Sequence, residues 1–229
     1  MSSRVKELET SRTVSQATSR GTLFVVSSPS GGGKGTIIRH VLQVVAVENL
    51  SYSVSYTTRA PRQGEVDGRE YFFVNRETFE EMVAAGEFLE WACVHGNLYG
   101  TAKSQVIEET NAGADIILEL DVQGAASVRQ LLMDSVSIFI LPPSYEVLKQ
   151  RLIARGTDSP EELAVRLRNA PDELKQYSAF DYVIINDEVE RASAQLASII
   201  YAARARCMRQ ESLVLEVIEK FKSNSIIES

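Results

Sequence analysis

The sequence predicts an α/β protein built on a mostly parallel sheet flanked by helices. Three observations carry that prediction. The apolar run at residues 22–26 reads as a buried strand, and the glycine-rich stretch 28–36 joins it to residues 37–42, whose apolar spacing suits a helix. A second apolar run, residues 115–121, finishes in carboxylates and is followed by a helix that opens at Gln123 and Gly124. Residues 137–141 and 181–185 show the same order, each an apolar strand leading into a helical stretch. A chain of 229 residues is long enough for one such domain with insertions, or for two small domains.

Composition narrows the function. A net charge of -7 argues against a general nucleic-acid binder, which is usually basic. Nucleotide binding stays open, because it needs only a local cluster of positive groups. Cys93 and Cys207 are too few for a disulfide framework or a zinc site, which favours a reducing, cytoplasmic setting. No apolar run approaches the length of a membrane span, and the N-terminus lacks the apolar core of a signal peptide. The expected partners are therefore small molecules, with no nucleic acid and no membrane. Residues 1–20 are rich in Ser, Thr, Arg and Glu without apolar periodicity and are expected to form a mobile tail.

The first strand leads into Ser28, Pro29, Ser30, Gly31, Gly32, Gly33, Lys34, Gly35 and Thr36. Strand, glycine-rich turn and helix are the setting of a phosphate-binding loop. Glycines let the backbone approach a phosphate chain, and the loop amides and helix N-terminus face the anion. Lys34 can place its ammonium on the outer phosphates. Against the general pattern G-x-x-x-x-G-K-[ST], Ser28 stands for the first glycine, and Gly35 stands where a Ser or Thr would ligate magnesium. Thr36 is next along the chain but faces about 100° away on a helix.

The helix is expected to reach about Val45, and residues 50–54 look like a short strand. Residues 55–65 read as a polar loop in which Arg59 and Arg62 suit a second anion, because guanidinium groups bind phosphate oxygens bidentately. Tyr71 can add a hydroxyl. Residues 71–74 read as a strand, 77–85 as an amphipathic helix ending at Gly86, and 88–92 as another strand. In that strand Glu90 lies between large apolar neighbours and is expected to point the other way, into a cleft. Residues 96–101 read as a turn carrying Tyr99 and Thr101, and 104–111 as a helix stopped at Gly113.

In an open parallel sheet, ligands sit beyond the carboxyl ends of the strands. Glu119 and Asp121 lie two apart and are expected to share one face of their strand, as candidates for magnesium water or substrate contacts. Residues 144–155 should be a helix with Arg151 and Arg155 on one face. After a break at 156–160, a second helix carries Arg166 and Arg168. Helix, break and helix with converging arginines suit a lid over phosphates. Residues 192–208 and 212–222 read as the last helices.

Together these segments resemble the guanylate kinases from about residue 21 to residue 209. The most specific pieces are residues 57–62 with Gly64, Glu65 and Gly68, then 88–91, then 96–100. Residues 121–124, 155–157 and 186–187 add to them. The resemblance implies phosphoryl transfer from ATP to GMP with Mg2+, in purine nucleotide metabolism. It implies a P-loop core at 21–54 and 112–229, a lid at about 153–173, and a small inserted α+β GMP-binding domain at 55–111. By motif, Ser55, Arg59, Arg62, Tyr71 and Tyr99 are implied as holders of the GMP phosphate and its surroundings, and Glu90, Thr101 and Asp121 as guanine contacts. Arg151, Arg155 and Arg166 are implied as lid and catalytic arginines, with Lys34 and Arg59 also catalytic. The loop from Ser28 through Thr36, with Asn186 on the adenine side, is implied as ATP-binding. Monomer and homo-oligomer stay equally open.

Two positions depart from the family pattern. Gly35 replaces the usual Ser or Thr, and Glu119 replaces the first of two usual aspartates. Both bear on magnesium, which is expected to rest mainly on ATP phosphates and water with indirect contacts from Glu119 or Asp121. A kinase for AMP would explain Gly35 but not Glu90 or residues 57–62. A non-catalytic phosphopeptide-binding module is expected to have lost the loop, which this chain keeps in Gly33 and Lys34.

Overall fold

The computed structural model describes residues 20–225 apart from 95, 133, 157 and 158. The expected tail before Arg20, Thr157 and Asp158 of the expected break, and the polar end after residue 225 lie outside the described residues.

The chain runs β1 (Leu23–Ser27), α1 (Lys34–His40, continued by a π turn at Val41–Val45), β2 (Leu50–Ser53), β3 (Tyr56–Thr57) and β4 (Phe72–Phe73). Then come α2 (Arg76–Ala84), β5 (Phe88–Val94), β6 (Asn97–Ala102), α3 (Lys103–Asn111), β7 (Asp115–Leu120) and α4 (Val122–Leu131). The last elements are β8 (Val136–Leu141), α5 (Tyr145–Arg155), α6 (Pro160–Leu174), β9 (Tyr182–Ile185), α7 (Val189–Arg204) and α8 (Glu211–Ser225).

The larger sheet has the order β2-β7-β1-β8-β9, and every pairing in it is parallel. Its central strands β1, β7 and β8 are mostly apolar because both of their faces are covered, as parallel sheets require. The alternation of side chains divides the core accordingly. Phe24, Val26, Ile117, Ile138 and Ile140 meet Ile37 and Ile38 of α1 and Leu196 and Ile200 of α7 on one face. Leu23, Val25, Ile116 and Leu118 meet Val106 of α3 and Ala125 and Val128 of α4 on the other.

The smaller sheet, β4-β3-β6-β5, is mixed, with β6 antiparallel to both β3 and β5. The expected turn at 96–101 is therefore corrected to strand β6. Its polar and glycine-rich letters hide a strand because both edges are paired, and because Gly100 leaves room for packing. A β-carbon there would lie 2.8 Å from the Phe88 ring, which stacks on Phe79 at 4.5 Å between centroids. Val106 places the apolar side of α3 in the core of the larger sheet. A boundary at residue 111 thus puts into the inserted unit a helix that the main core also holds. α5 and α6 pack on one another through Leu148, Leu152 and Ala170, and Ser159 and Glu162 form a reciprocal cap that starts α6.

Candidate active site

β1 ends at Ser27 and α1 begins at Lys34, so residues 28–33 form the connecting loop. Gly31 and Gly33 adopt φ of 84° and 90°, in the left-handed region that glycine tolerates. Gly33 has a second reason to be glycine, since a β-carbon there would lie 2.2 Å from Asn186 Nδ2. That nitrogen donates to the Gly32 carbonyl at 2.8 Å. Arg151 donates to the Asn186 carbonyl at 3.0 Å and to the Gly32 carbonyl at 3.4 Å. Arg151, expected among the lid arginines, thus meets the loop backbone and is not among the residues that line the cavity. Asn186, expected on the adenine side, is buried and holds the loop from behind.

The loop already binds an anion of its own chain. The Ser30 amide donates to a Glu173 carboxylate oxygen at 3.1 Å, and Arg166 Nη1 donates to the Ser30 hydroxyl. Both partners come from α6, so the helix expected to act as a lid reaches the loop directly. Arg155 is exposed and lines the same space.

That space is a cavity of about 700 Å³ between the carboxyl ends of the parallel strands and the smaller sheet. Ser28, Ser30, Gly31 and Lys34 line it from the loop. Ser55, Arg59, Arg62, Tyr71, Glu90 and Tyr99 line it from the inserted segment, and Glu119 and Asp121 from the end of β7. Pro29, Gly32, Gly33, Gly35 and Thr36 stay outside the lining, and Thr36 is exposed. Thr101 also stays outside, fully buried behind Glu90.

Register sets the Glu90 site. Glu90 pairs with Thr101 across β5 and β6, at a register shift that follows Phe88. The Thr101 hydroxyl donates to Glu90 Oε1 at 2.7 Å. Glu90 is 7% exposed and lines the cavity. Burial pushes its carboxyl up from 4.5 to about 7, against the pull of the Thr101 hydrogen bond and with help from the Asp121 charge.

Arg59 is held in a fork. Its Nη1 and Nη2 donate to the two Glu65 carboxylate oxygens, each at 2.9 Å, and its guanidinium lies 5.4 Å from the Tyr71 ring centroid. The Arg62 amide also donates to Glu65, at 2.7 Å. Burial alone would raise the Glu65 carboxyl, but the Arg59 and Arg62 contacts hold it below the ordinary value. Tyr71 and Tyr99 meet edge to face at 5.9 Å. Burial, then the Glu119 charge, pushes the Tyr71 hydroxyl well above the tyrosine range.

The two carboxylates expected on one strand face part ways. β7 ends at Leu120, and Asp121 caps α4, accepting from the Gly124 amide at 2.9 Å and the Gln123 amide at 3.4 Å. Glu119 stays on the α1 side, 3.7 Å from Lys34 Nζ, and accepts from the Tyr52 hydroxyl at 3.1 Å. Among the described residues no group of three or more His, Cys, Asp and Glu could cage a metal ion.

Sequence reading missed Tyr52, Gly124, Glu173 and the part played by Glu65. Glu65 and Gly124 sit inside quoted motifs, so the letters were in view. Tyr52 and Glu173 carry no local signal and become visible only when β2 and α6 are folded against the loop.

A parallel sheet whose first strand feeds a lysine-bearing glycine loop defines a P-loop fold, and a cavity that the lysine shares with Arg59, Arg62, Arg155 and Arg166 suits a phosphotransferase of small molecules. A family model described as "Guanylate kinase" matches residues 20–203. The chain is 49% identical over 199 residues to the guanylate kinase of Symbiobacterium thermophilum, covering 87% of this chain and 93% of that protein. It is 50% identical over 188 residues to that of Nitrosomonas europaea, covering 82% and 92%. The crystal structure of guanylate kinase from Anaplasma phagocytophilum superposes with a TM-score of 0.69 at 34% identity, covering 83% of this chain and 90% of that one. The chain belongs to the guanylate kinase family.

Proposed function

We propose that the protein is an ATP:GMP phosphotransferase, which moves the γ-phosphoryl group of ATP to GMP and yields ADP and GDP in purine nucleotide metabolism. The observation that carries the reading is the buried Glu90 carboxylate, set by Thr101 and facing the same cavity as Lys34. Guanine offers N1–H and N2–H₂ donors on one edge, and a carboxylate accepts both. Adenine has no donor at N1 and no amino group at C2, so AMP would leave the buried carboxylate unpaired, which costs more than a missing contact.

The residues divide between two phosphates. Ser28, Ser30, Gly31 and Lys34 take the ATP side, where loop amides and the ammonium neutralise the transferring group. Arg59, Arg62, Tyr71, Tyr99 and Ser55 take the GMP phosphate, and Asp121 borders the base. Arg155 and Arg166 approach from α5 and α6, where closure excludes water and adds positive charge around the transferred group. Arg151 and Asn186 keep the loop in shape. Mg2+ bound with ATP would supply further charge neutralisation, and Glu119, which lines the cavity from β7, is the residue that would help to hold it. The domain division follows the same reading, with residues 55–111 as the acceptor-binding unit. The cytoplasm is the fitting compartment, since Cys93 and Cys207 are both exposed and free. No helix among the described residues is long and apolar enough to cross a membrane.

The test is a direct assay of ADP formation with GMP and with AMP as acceptor. Transfer to GMP with little to AMP supports the reading. Equal rates would return the protein to the AMP kinases, and no transfer with tight phosphopeptide binding would make it a binding module.

A further inference from the structure

Gly35 and Glu119 compete for the same space. A β-carbon on Gly35 would lie 3.2 Å from Glu119 Oε1 and 3.3 Å from Oε2. Those distances are tighter than ordinary contact, so a side chain at 35 and the carboxylate at 119 coexist only if one gives way. Gly35 is the second residue of α1, and its φ is not in the left-handed region. The backbone therefore does not require glycine, and glycine is a poor helix former. The neighbour explains it instead.

Glu119 arrives there by strand parity. It pairs with Val26 in the parallel register of β1 and β7, so it shares the sheet face that α1 covers. Tyr52 holds Oε2 at 3.1 Å. Oε1 faces Lys34 at 3.7 Å, and the residue lines the cavity. Of the other oxygen-bearing side chains at the site, Asp121 caps α4, the Ser28 hydroxyl donates to the Pro29 carbonyl and the Ser30 hydroxyl accepts from Arg166, and Thr36 is exposed and outside the lining. In the general loop pattern, the side chain after the lysine gives a hydroxyl to the metal.

We propose that Glu119 supplies the protein oxygen that position 35 lacks. Its carboxylate is the chain's hold on the nucleotide-bound divalent cation, and Gly35 is glycine because that carboxylate occupies the place of its side chain. The pair is one unit: a hydroxyl at 35 goes with a shorter carboxylate at 119, and glycine goes with glutamate. This rests on the phosphotransferase reading, since the nucleotide brings the metal.

The test is Mn2+ binding to the protein–ADP complex, read by electron paramagnetic resonance, with the melting temperature of each ligand-free variant measured alongside. Glu119→Gln keeps the size and the Tyr52 hydrogen bond, so it should fold normally yet weaken Mn2+ binding by about tenfold or more. Gly35→Ser and Glu119→Asp should each weaken it by a similar factor, and the double variant should recover to within about threefold of the unmodified protein. Gly35→Ser should also lower the ligand-free melting temperature, and adding Glu119→Asp should restore it. Multiplicative losses in the double variant, or unchanged Mn2+ binding in a folded Glu119→Gln, would overturn the pairing while leaving the phosphotransferase reading intact. Failure of the unmodified protein to bind Mn2+ with ADP would overturn both.

Discussion

The Glu90 side chain reaches so far into the first turn of α4 that a β-carbon on Gly124 would lie 2.6 Å from its Oε2. Two elements distant in sequence thus share one small volume, and the carboxylate keeps its place only because residue 124 has no side chain. Gly124→Ala should displace the carboxylate without unfolding α4, since alanine is the better helix former. Losing its alignment with the guanine donors should raise the KM for GMP by about one to two decades, the worth of a charged hydrogen bond. The KM for ATP should move little. An unchanged KM for GMP in a folded variant would show that Glu90 does not read the base.

The same carboxylate gives a pH dependence. With its carboxyl pushed up to about 7, Glu90 is increasingly protonated below that pH, and the protonated form cannot accept two hydrogen bonds. GMP affinity should be flat above pH 7 and fall below it, approaching tenfold per pH unit. The GMP phosphate also titrates near pH 6, so the Glu90→Gln variant serves as reference. The difference between the two profiles, read by calorimetry, isolates Glu90. Stability runs the opposite way. A raised carboxyl stabilises the ligand-free fold below its unfolded value of about 4.5 and loses that contribution as pH rises through 7. Glu90→Gln should therefore gain melting temperature relative to the unmodified protein at pH 8 more than at pH 5. Parallel profiles in both measurements would show an ordinary carboxylate.

Lys34 stands at the start of α1 with its ammonium 3.7 Å from Glu119, so it is poised between the loop and the cavity. Lys34→Met should leave the fold intact and reduce kcat by about 10²–10³-fold or more, as expected for one preorganised charge at a transferring phosphoryl group. Near-normal turnover would remove the loop from the chemistry.

Arg59 depends on Glu65 for its position. Glu65→Ala should free the guanidinium to sample other rotamers and raise the KM for GMP, while Arg62→Ala should remove the proposed phosphate contact outright. Both should act on GMP by about tenfold or more and leave ATP nearly untouched. Calorimetry showing the loss on the ATP side would reverse the assignment of the two phosphates.

The parallel sheet and the loop were legible because their signals are local: apolar runs of strand length, glycines, and a lysine at a helix start. Glu90 was legible because alternation alone turns it away from Leu89 and Trp91. β6 was not, because a strand with Gly100, Thr101 and Asn97 owes its extension to partners on both edges. Asp121 looked like a neighbour of Glu119 because period-two reasoning assumed that the strand continued. It ends at Leu120, and the carboxylate turns to cap the next helix. Arg151 looked like the companion of Arg155 by helical spacing, yet which arginine meets the cavity depends on how α5 rests against the loop.

Arg151 and Arg155 should differ in what their removal does. Arg151 donates to the Gly32 and Asn186 carbonyls, and burial lowers its own basicity, as suits a group inside the framework. Its removal leaves those two carbonyls without this donor and loosens the loop. Arg151→Ala should therefore destabilise the ligand-free protein by about 2 kcal/mol, a fall in melting temperature of about 4–8 °C for a domain of this size. The loosened loop should bind ATP more weakly, with GMP affinity little changed. Arg155 lines the cavity from an exposed position, so Arg155→Ala should lower kcat with little change in melting temperature. The contrast between the two variants, measured by calorimetric melting and by kcat and KM for each substrate, decides the roles. A collapse of kcat in Arg151→Ala at unchanged stability and unchanged ATP affinity would move that arginine from the loop's support to the reacting phosphoryl group.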